Sequence, residues 1–97
     1  MTTLDQVKKI ISEEKDTLAK KYHVLRIGVF GSVLRGEDTN KSDVDILVEF
    51  SKPISLFGLM DVEFYLEDKL GKSVDLVPKD SLRKHIGKYI LKEVQYL

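Results

Sequence analysis

The sequence predicts a small α/β (α+β) domain spanning residues 1–97, in the order helix, strand, short helix, strand, helix, strand, helix. Three observations predict it. Thr3 to Tyr22 and Leu56 to Leu70 repeat apolar residues at helical spacing. Three short apolar runs, Val24 to Phe30, Ser42 to Phe50 and Lys72 to Pro78, are strand-sized and bounded by Gly, Ser or Pro. Helical and extended segments alternate, so so few strands must form a sheet covered largely on one face by helices.

The first helix is expected to start at Thr3, with Gln6 completing a capping box. Leu4, Val7, Ile10, Ile11 and Leu18 form its apolar side, and Lys8, Lys9, Glu13, Lys15 and Lys20 a solvated one. His23 follows at the helix–strand junction. It reads as a surface or capping residue, with a general base as the lesser alternative. A short helix is expected over Gly31 to Glu37, then a polar loop to Lys41. Pro53 lies beyond the second strand, and Ser55 is placed to cap the helix that Gly71 stops. Leu56, Leu59, Met60, Glu63, Phe64, Leu66 and Leu70 form the expected stripe of that helix, with Phe57, Phe64 and Tyr65 read as core aromatics and a base-stacking platform as the lesser alternative. The last helix is expected to begin at Lys79–Ser81, capped by Asp80 or Ser81, and to run nearly to Leu97. Its stripe is Leu82, Ile86, Tyr89, Ile90, Val94 and Leu97, with His85 on the surface.

Composition narrows the function classes. Sixteen acidic and sixteen basic residues balance to zero net charge, which argues against a general electrostatic grip on nucleic acid. Without cysteine there is neither a disulfide framework nor a zinc–thiolate site. No segment reads as a signal peptide or bilayer span, so a cytoplasmic protein with no membrane partner is expected.

The informative stretch is Ile27 to Phe50, IGVFGSVLRGEDTNKSDVDILVEF. On a strand, Asp43 and Asp45 project to one side, roughly 6.6 Å apart at their Cα atoms, while Val44 points into a core. Paired carboxylates repel unless a proton or cation lies between them. Hard oxygen donors favour Mg²⁺ or Mn²⁺. Gly31-Ser32 follows an apolar strand, and its backbone N–H groups and the Ser32 hydroxyl can hold a phosphate. A metal site beside a phosphate cradle points to phosphoryl or nucleotidyl transfer. Arg35 has two readings, as a phosphate partner or as the ion-pair partner of Asp43 or another carboxylate. Ser42 is expected to bond locally and fix the approach to the strand. Glu49 continues the alternation as a solvent-facing or ion-paired residue. Asp75 sits in an otherwise apolar run, where burying it would be costly unless it is paired or metal-bound. The alternative is an edge-strand Asp facing water.

Gly-Ser, a ten-residue gap containing Arg-Gly, and Asp-x-Asp with Ser directly before it resemble the DNA polymerase beta-type nucleotidyltransferase superfamily. The pattern is most similar to the minimal nucleotidyltransferases of prokaryotic toxin–antitoxin pairs. The resemblance implies a polymerase beta-like fold with a small mixed β-sheet, the first two strands antiparallel and the third beside the second. It implies that Asp43, Asp45 and Asp75 are the catalytic and metal-binding trio. Gly31 and Ser32 would then contact the triphosphate, with Arg35 and Ser42 as further nucleotide-binding positions. It also implies ATP as donor and a tyrosine of a helical HEPN-domain toxin as acceptor, which would make the chain an antitoxin. A chain this short would need the acceptor bound on a dimer surface or delivered by a docking partner.

Two alternatives stand beside transfer to a partner. The chain can be a non-catalytic antitoxin or regulatory binding module that neutralises a partner by contact. It can also transfer a nucleotide to a small molecule such as an antibiotic, although so short a chain is not expected to build the pocket alone. Tyr22, Tyr65, Tyr89 and Tyr96 are conceivable acceptors in self-modification, and no pattern singles one out.

Overall fold

The computed structural model describes residues 3–39, 41–82 and 84–97, the last segment without the side chains of 84–86. The elements follow as α1 (Thr3–Tyr22), β1 (Val24–Phe30), α2 (Gly31–Arg35), β2 (Val44–Phe50), α3 (Leu56–Leu70), β3 (Val74–Pro78), α4 (Lys84–Glu93) and β4 (Gln95–Tyr96). A 3₁₀ turn occupies Lys79–Ser81. The sheet has the order β3-β2-β1-β4. β1 is antiparallel to β2 and to β4, and β2 is parallel to β3. The expected mixed α/β architecture is therefore present.

Alternation along the strands divides the sheet into two faces. Ile27 and Val29 of β1, Val44, Ile46 and Val48 of β2, and Val74 and Leu76 of β3 point to one face. There they pack with Val7, Ile11 and Leu18 of α1 and Val62 and Leu66 of α3. Each fully buried aliphatic side chain contributes about 1.5–3 kcal/mol of transfer free energy. The opposite phase of β2 and β3, with Asp45, Leu47, Glu49, Asp75 and Val77, is left for the other face. The site carboxylates stand on that face because the buried valines claim the first one.

Three expectations need correction. The long third helix does not bury the stripe read from its sequence. Leu56, Phe57, Met60 and Phe64 are 69%, 78%, 38% and 57% exposed. The buried residues are Val62 and Leu66, with Leu59, Tyr65 and Leu70 packed beside them. Two apolar rows share this helix at helical spacing, and the sheet receives only one. Its caps are as expected: Ser55 Oγ accepts from the Gly58 N–H at 3.2 Å, and Gly71 ends it in the left-handed region.

The last helix is shorter than expected. It ends at Glu93, and Gln95-Tyr96 form a fourth strand that pairs with Gly28 and Val29. The approach depends on Gly28, where an added Cβ would lie 2.6 Å from Val94 Cγ2 and 3.0 Å from the Gln95 carbonyl oxygen. The Leu97 N–H donates to the Ile27 carbonyl at 2.9 Å, and the Arg26 guanidinium lies 3.9 Å from the centre of the Tyr96 ring. Two residues cannot display a period of two, so this strand leaves no pattern in the sequence. Tyr89, expected in the stripe, is 78% exposed, while the expectations for His85 and Ile86 fall outside the described residues. The Ser81 hydroxyl donates to the Pro78 carbonyl at 2.9 Å, closing the 3₁₀ turn, and the start of α4 that it was expected to cap reaches residues outside those described.

The second strand begins at Val44, so Ser42 and Asp43 lie in the approach to it. Among the described residues no helix is long and apolar enough to cross a membrane.

Candidate functional site

The parallel pairing of β2 with β3 builds the site. Val44 lies opposite Val74, and both are buried in the core. The next pair is Asp45 opposite Asp75. Partners in a parallel ladder point to the same face, on strands about 4.8 Å apart. Two carboxylates thus stand side by side where the core-facing residues leave off. Asp43, two residues before Asp45, is exposed at the strand entrance. Asp75 is exposed on an edge strand, so the cost-of-burial argument for it does not apply. Its place beside Asp45 follows from register instead.

The Gly31 turn closes against this pair from the neighbouring strand. Phe30, the last residue of β1, lies opposite Asp45. Gly31 follows with φ +76°, and a Cβ there would fall inside the Asp45 carboxylate. Glycine is required twice, by backbone conformation and by this close approach. α2 then ends at Gly36, whose φ of 73° and N–H bonds back to the Ser32 and Val33 carbonyls turn the chain away. The Ser32 hydroxyl makes no hydrogen bond among the described residues. Ser42 Oγ accepts from the Thr39 N–H at 2.9 Å, and the Ser42 N–H donates to the Thr39 carbonyl at 3.0 Å. Ser42 therefore closes the turn that delivers Asp43 and Asp45.

Arg35 takes the ion-pair reading in this structure. Its Nε donates to Glu37 Oε1 at 2.8 Å, and its Nη1 is paired with Glu93 Oε1. Sequence reasoning missed Glu93. The other oxygen of that carboxylate, Oε2, accepts from the Gly31 N–H at 3.1 Å. Nothing in the local sequence of α4 marks this residue. It reaches the site because β4 brings the end of α4 back beside β1.

Electrostatics at the site are unbalanced. Partial burial, then the Asp75 and Asp43 carboxylates, push the Asp45 pKa up; Arg35 opposes them and Glu93 adds to them. Burial also opposes ionisation of Glu93, yet its bonds from Arg35 and Gly31 outweigh that and hold its pKa down. Those same carboxylate partners, Glu93 and then Glu37, raise Arg35.

The donor set fits a hard divalent cation. Asp43, Asp45 and Asp75 offer only carboxylate oxygens, and the repulsion acting on Asp45 is what a bound cation would relieve. Among the described residues, no three His, Cys, Asp or Glu side chains already stand together to hold an ion. Asp43 and Asp75 make no hydrogen bond or ion pair among the described residues, so their side chains are free to turn inward.

The other singled-out residues lie elsewhere. His23 precedes Val24, whose partner is Phe50, at the opposite end of the β1–β2 ladder from Asp45. That distance removes it as a general base for this site. The Tyr65 hydroxyl donates to Glu14 at 2.7 Å, and the Tyr65 ring stacks 5.0 Å from Tyr22. Glu49 sits 3.8 Å from Lys79 Nζ, the ion pair that the alternation allowed. A concavity of about 550 Å³, lined by Phe50, Ile54, Leu59, Pro78 and Ser81, lies at the far end of β2 and β3 from the aspartates.

The glycine turn, the Asp-x-Asp segment and the neighbouring Asp75 lie together at one end of the mixed sheet. Residues 4–97 match the model of the nucleotidyltransferase domain, and the chain belongs to that family of enzymes. The chain is 46% identical over 97 residues to the protein adenylyltransferase MntA of Thermococcus cleftensis, covering 100% of this chain and 98% of that one. A candidate protein adenylyltransferase of Methanocaldococcus jannaschii is 41% identical over 98 residues, covering 100% of both. Among solved structures, one described as a candidate minimal nucleotidyltransferase superposes with a TM-score of 0.78 at 29% identity, over 100% of this chain and 97% of that one. The fold is also shared with a Shewanella oneidensis complex described as a tri-AMPylated HEPN toxin with MNT antitoxin. That likeness has a TM-score of 0.68 at 20% identity, over 98% of this chain and 71% of that one.

Proposed function

We propose that this nucleotidyltransferase is a metal-dependent protein adenylyltransferase. It moves AMP from ATP to a tyrosine hydroxyl of a HEPN-domain toxin and so acts as its antitoxin. The observation that carries the chemistry is the pairing of Asp45 with Asp75 beside the Gly31 turn. The choice of AMP and of a protein acceptor is supported by the relative named protein adenylyltransferase MntA, and the toxin partner by the fold shared with the MNT–HEPN complex.

In this reading the Gly31 backbone and the Ser32 hydroxyl hold the β- and γ-phosphates, with Arg35 as a further partner. Ser42 keeps the Asp43–Asp45 entrance in place through its turn with Thr39. Asp43, Asp45 and Asp75 bind Mg²⁺ or Mn²⁺, which would offset charge on the attacking and leaving oxygens. Asp75, exposed at the sheet edge, takes the proton from the acceptor hydroxyl. The acceptor oxygen bonds to the α-phosphorus as the bond to the bridging oxygen breaks, and pyrophosphate departs. Asp43 and Asp75 are exposed, which suits an acceptor side chain carried in by a folded partner.

The test is to co-express the chain with a candidate HEPN-domain toxin from the same organism and weigh the intact partner. Incubation with ATP and Mg²⁺ should add one or more AMP masses to tyrosine. Asp45→Asn should abolish the addition. Neutralisation of the toxin by Asp45→Asn without any mass change would instead support the contact-only module.

A further inference from the structure

Resting on the nucleotide site proposed above, we infer that Glu93 is an internal phosphate surrogate: its carboxylate holds Gly31 and Arg35 until the triphosphate replaces it. Gly31 and Arg35 are two groups assigned to the triphosphate, and one carboxylate engages both. Glu93 Oε2 accepts from the Gly31 N–H at 3.1 Å, while Oε1 pairs with Arg35. A backbone N–H has one hydrogen to give, so a phosphate oxygen and Glu93 cannot both take it with good geometry.

Charge leads to the same conclusion. The guanidinium of Arg35 already faces two carboxylates, Glu37 and Glu93. An incoming phosphate gains little from a cation that is already over-neutralised. It also meets Asp43, Asp45 and Asp75, with Glu93 as a fourth negative charge acting on Asp45. Release of Glu93 frees the N–H, frees the guanidinium and removes a negative charge from the phosphate's path. The release needs only a side-chain rotation. Backbone bonds, including Leu97 N–H to the Ile27 carbonyl at 2.9 Å, hold the tail in place. Glu93 still reaches solvent, with 26% of its side chain exposed, so a swing outward is short.

Closed and open forms would then be in equilibrium, and the apparent nucleotide affinity is the intrinsic one scaled by the open fraction. A partly exposed ion pair and one backbone hydrogen bond set a modest scale, about three- to tenfold.

The experiment is calorimetric titration of ATP with Mg²⁺ into wild type, Glu93→Ala, Glu93→Gln and Asp45→Asn. The glutamine variant keeps an acceptor for Gly31 and most of the packing, which guards against loss of fold in the alanine variant. Glu93→Ala should bind about three- to tenfold more tightly, and Glu93→Gln by a smaller factor, because only its ion pair is lost. Equal or weaker binding in both variants overturns the surrogate and makes Glu93 a positioning residue of the Gly31 turn. Wild-type binding lost in Asp45→Asn, without tightening in either Glu93 variant, sinks this inference alone. No binding by wild type or by either Glu93 variant sinks the nucleotide reading together with it.

Discussion

The two ends of β2 carry carboxylates of the same strand phase and treat them in opposite ways. Glu49, near the C-terminal end, lies opposite Arg26 across the antiparallel ladder and 3.8 Å from Lys79 Nζ. Asp45, at the N-terminal end, lies opposite Asp75 across the parallel ladder, with Asp43 adding to the repulsion. The one cation acting on Asp45 among the described residues, Arg35, is tied to Glu93 and Glu37. One end has a counter-charge within reach of its carboxylate, although Glu49 Oε2 makes no hydrogen bond among the described residues. The other stays short of positive charge, the condition for holding a cation and its polyphosphate. Charge left uncompensated at one end and offset at the other is the difference expected between the proposed site and a structural ion pair.

Substitutions can break that contrast, beginning with the largest effect. Asp45→Asn should reduce adenylyl transfer on the order of a thousandfold, measured as AMP incorporated into the partner, because it removes the central charge of the trio. Gly31→Ala should come next. The φ of +76° and the collision with Asp45 should cost about 1–3 kcal/mol in denaturant unfolding and weaken nucleotide binding together. Glu49→Gln should change stability by about 1 kcal/mol or less and leave transfer within about twofold, since that end serves the fold alone. An equal loss of transfer in Glu49→Gln and Asp45→Asn would erase the distinction.

A smaller effect concerns pH. The Asp45 pKa is raised in the folded chain, so the native state binds its proton more tightly than the unfolded state. Without metal, the stability linked to Asp45 is therefore greatest at low pH and falls as pH rises through the raised pKa. Solvent screening keeps this slight, because Asp45 is only partly buried. Melting curves across that window should show the slope in wild type, a shallower one in Asp45→Asn, and flattening by Mg²⁺.

The same contrast explains what was legible in the sequence. Asp43 and Asp45 were readable because a strand has a period of two and Val44 had to point inward. The Gly31 turn was readable because glycine followed an apolar run at a fixed distance from them. The burial argument for Asp75 does not hold: it is an exposed edge-strand residue, the alternative the sequence also allowed, and parallel register sets it opposite Asp45. Glu93 was not legible, since its approach depends on a two-residue strand beside Gly28. The third helix misled because its two apolar rows look alike until the sheet selects Val62 and Leu66. Phe57 and Phe64 then remain outside.

The most direct test of the central claim, that the Asp45 end of β2 is a cation-dependent nucleotide site, is calorimetric titration of ATP into the purified chain. It is run with Mg²⁺ and with a chelator, in wild type and in an Asp43→Asn/Asp45→Asn variant. The predicted result is saturable binding in wild type with Mg²⁺, lost both in the chelator and in the folded variant. Binding of equal strength in all four conditions would contradict the account and place the nucleotide elsewhere on the molecule.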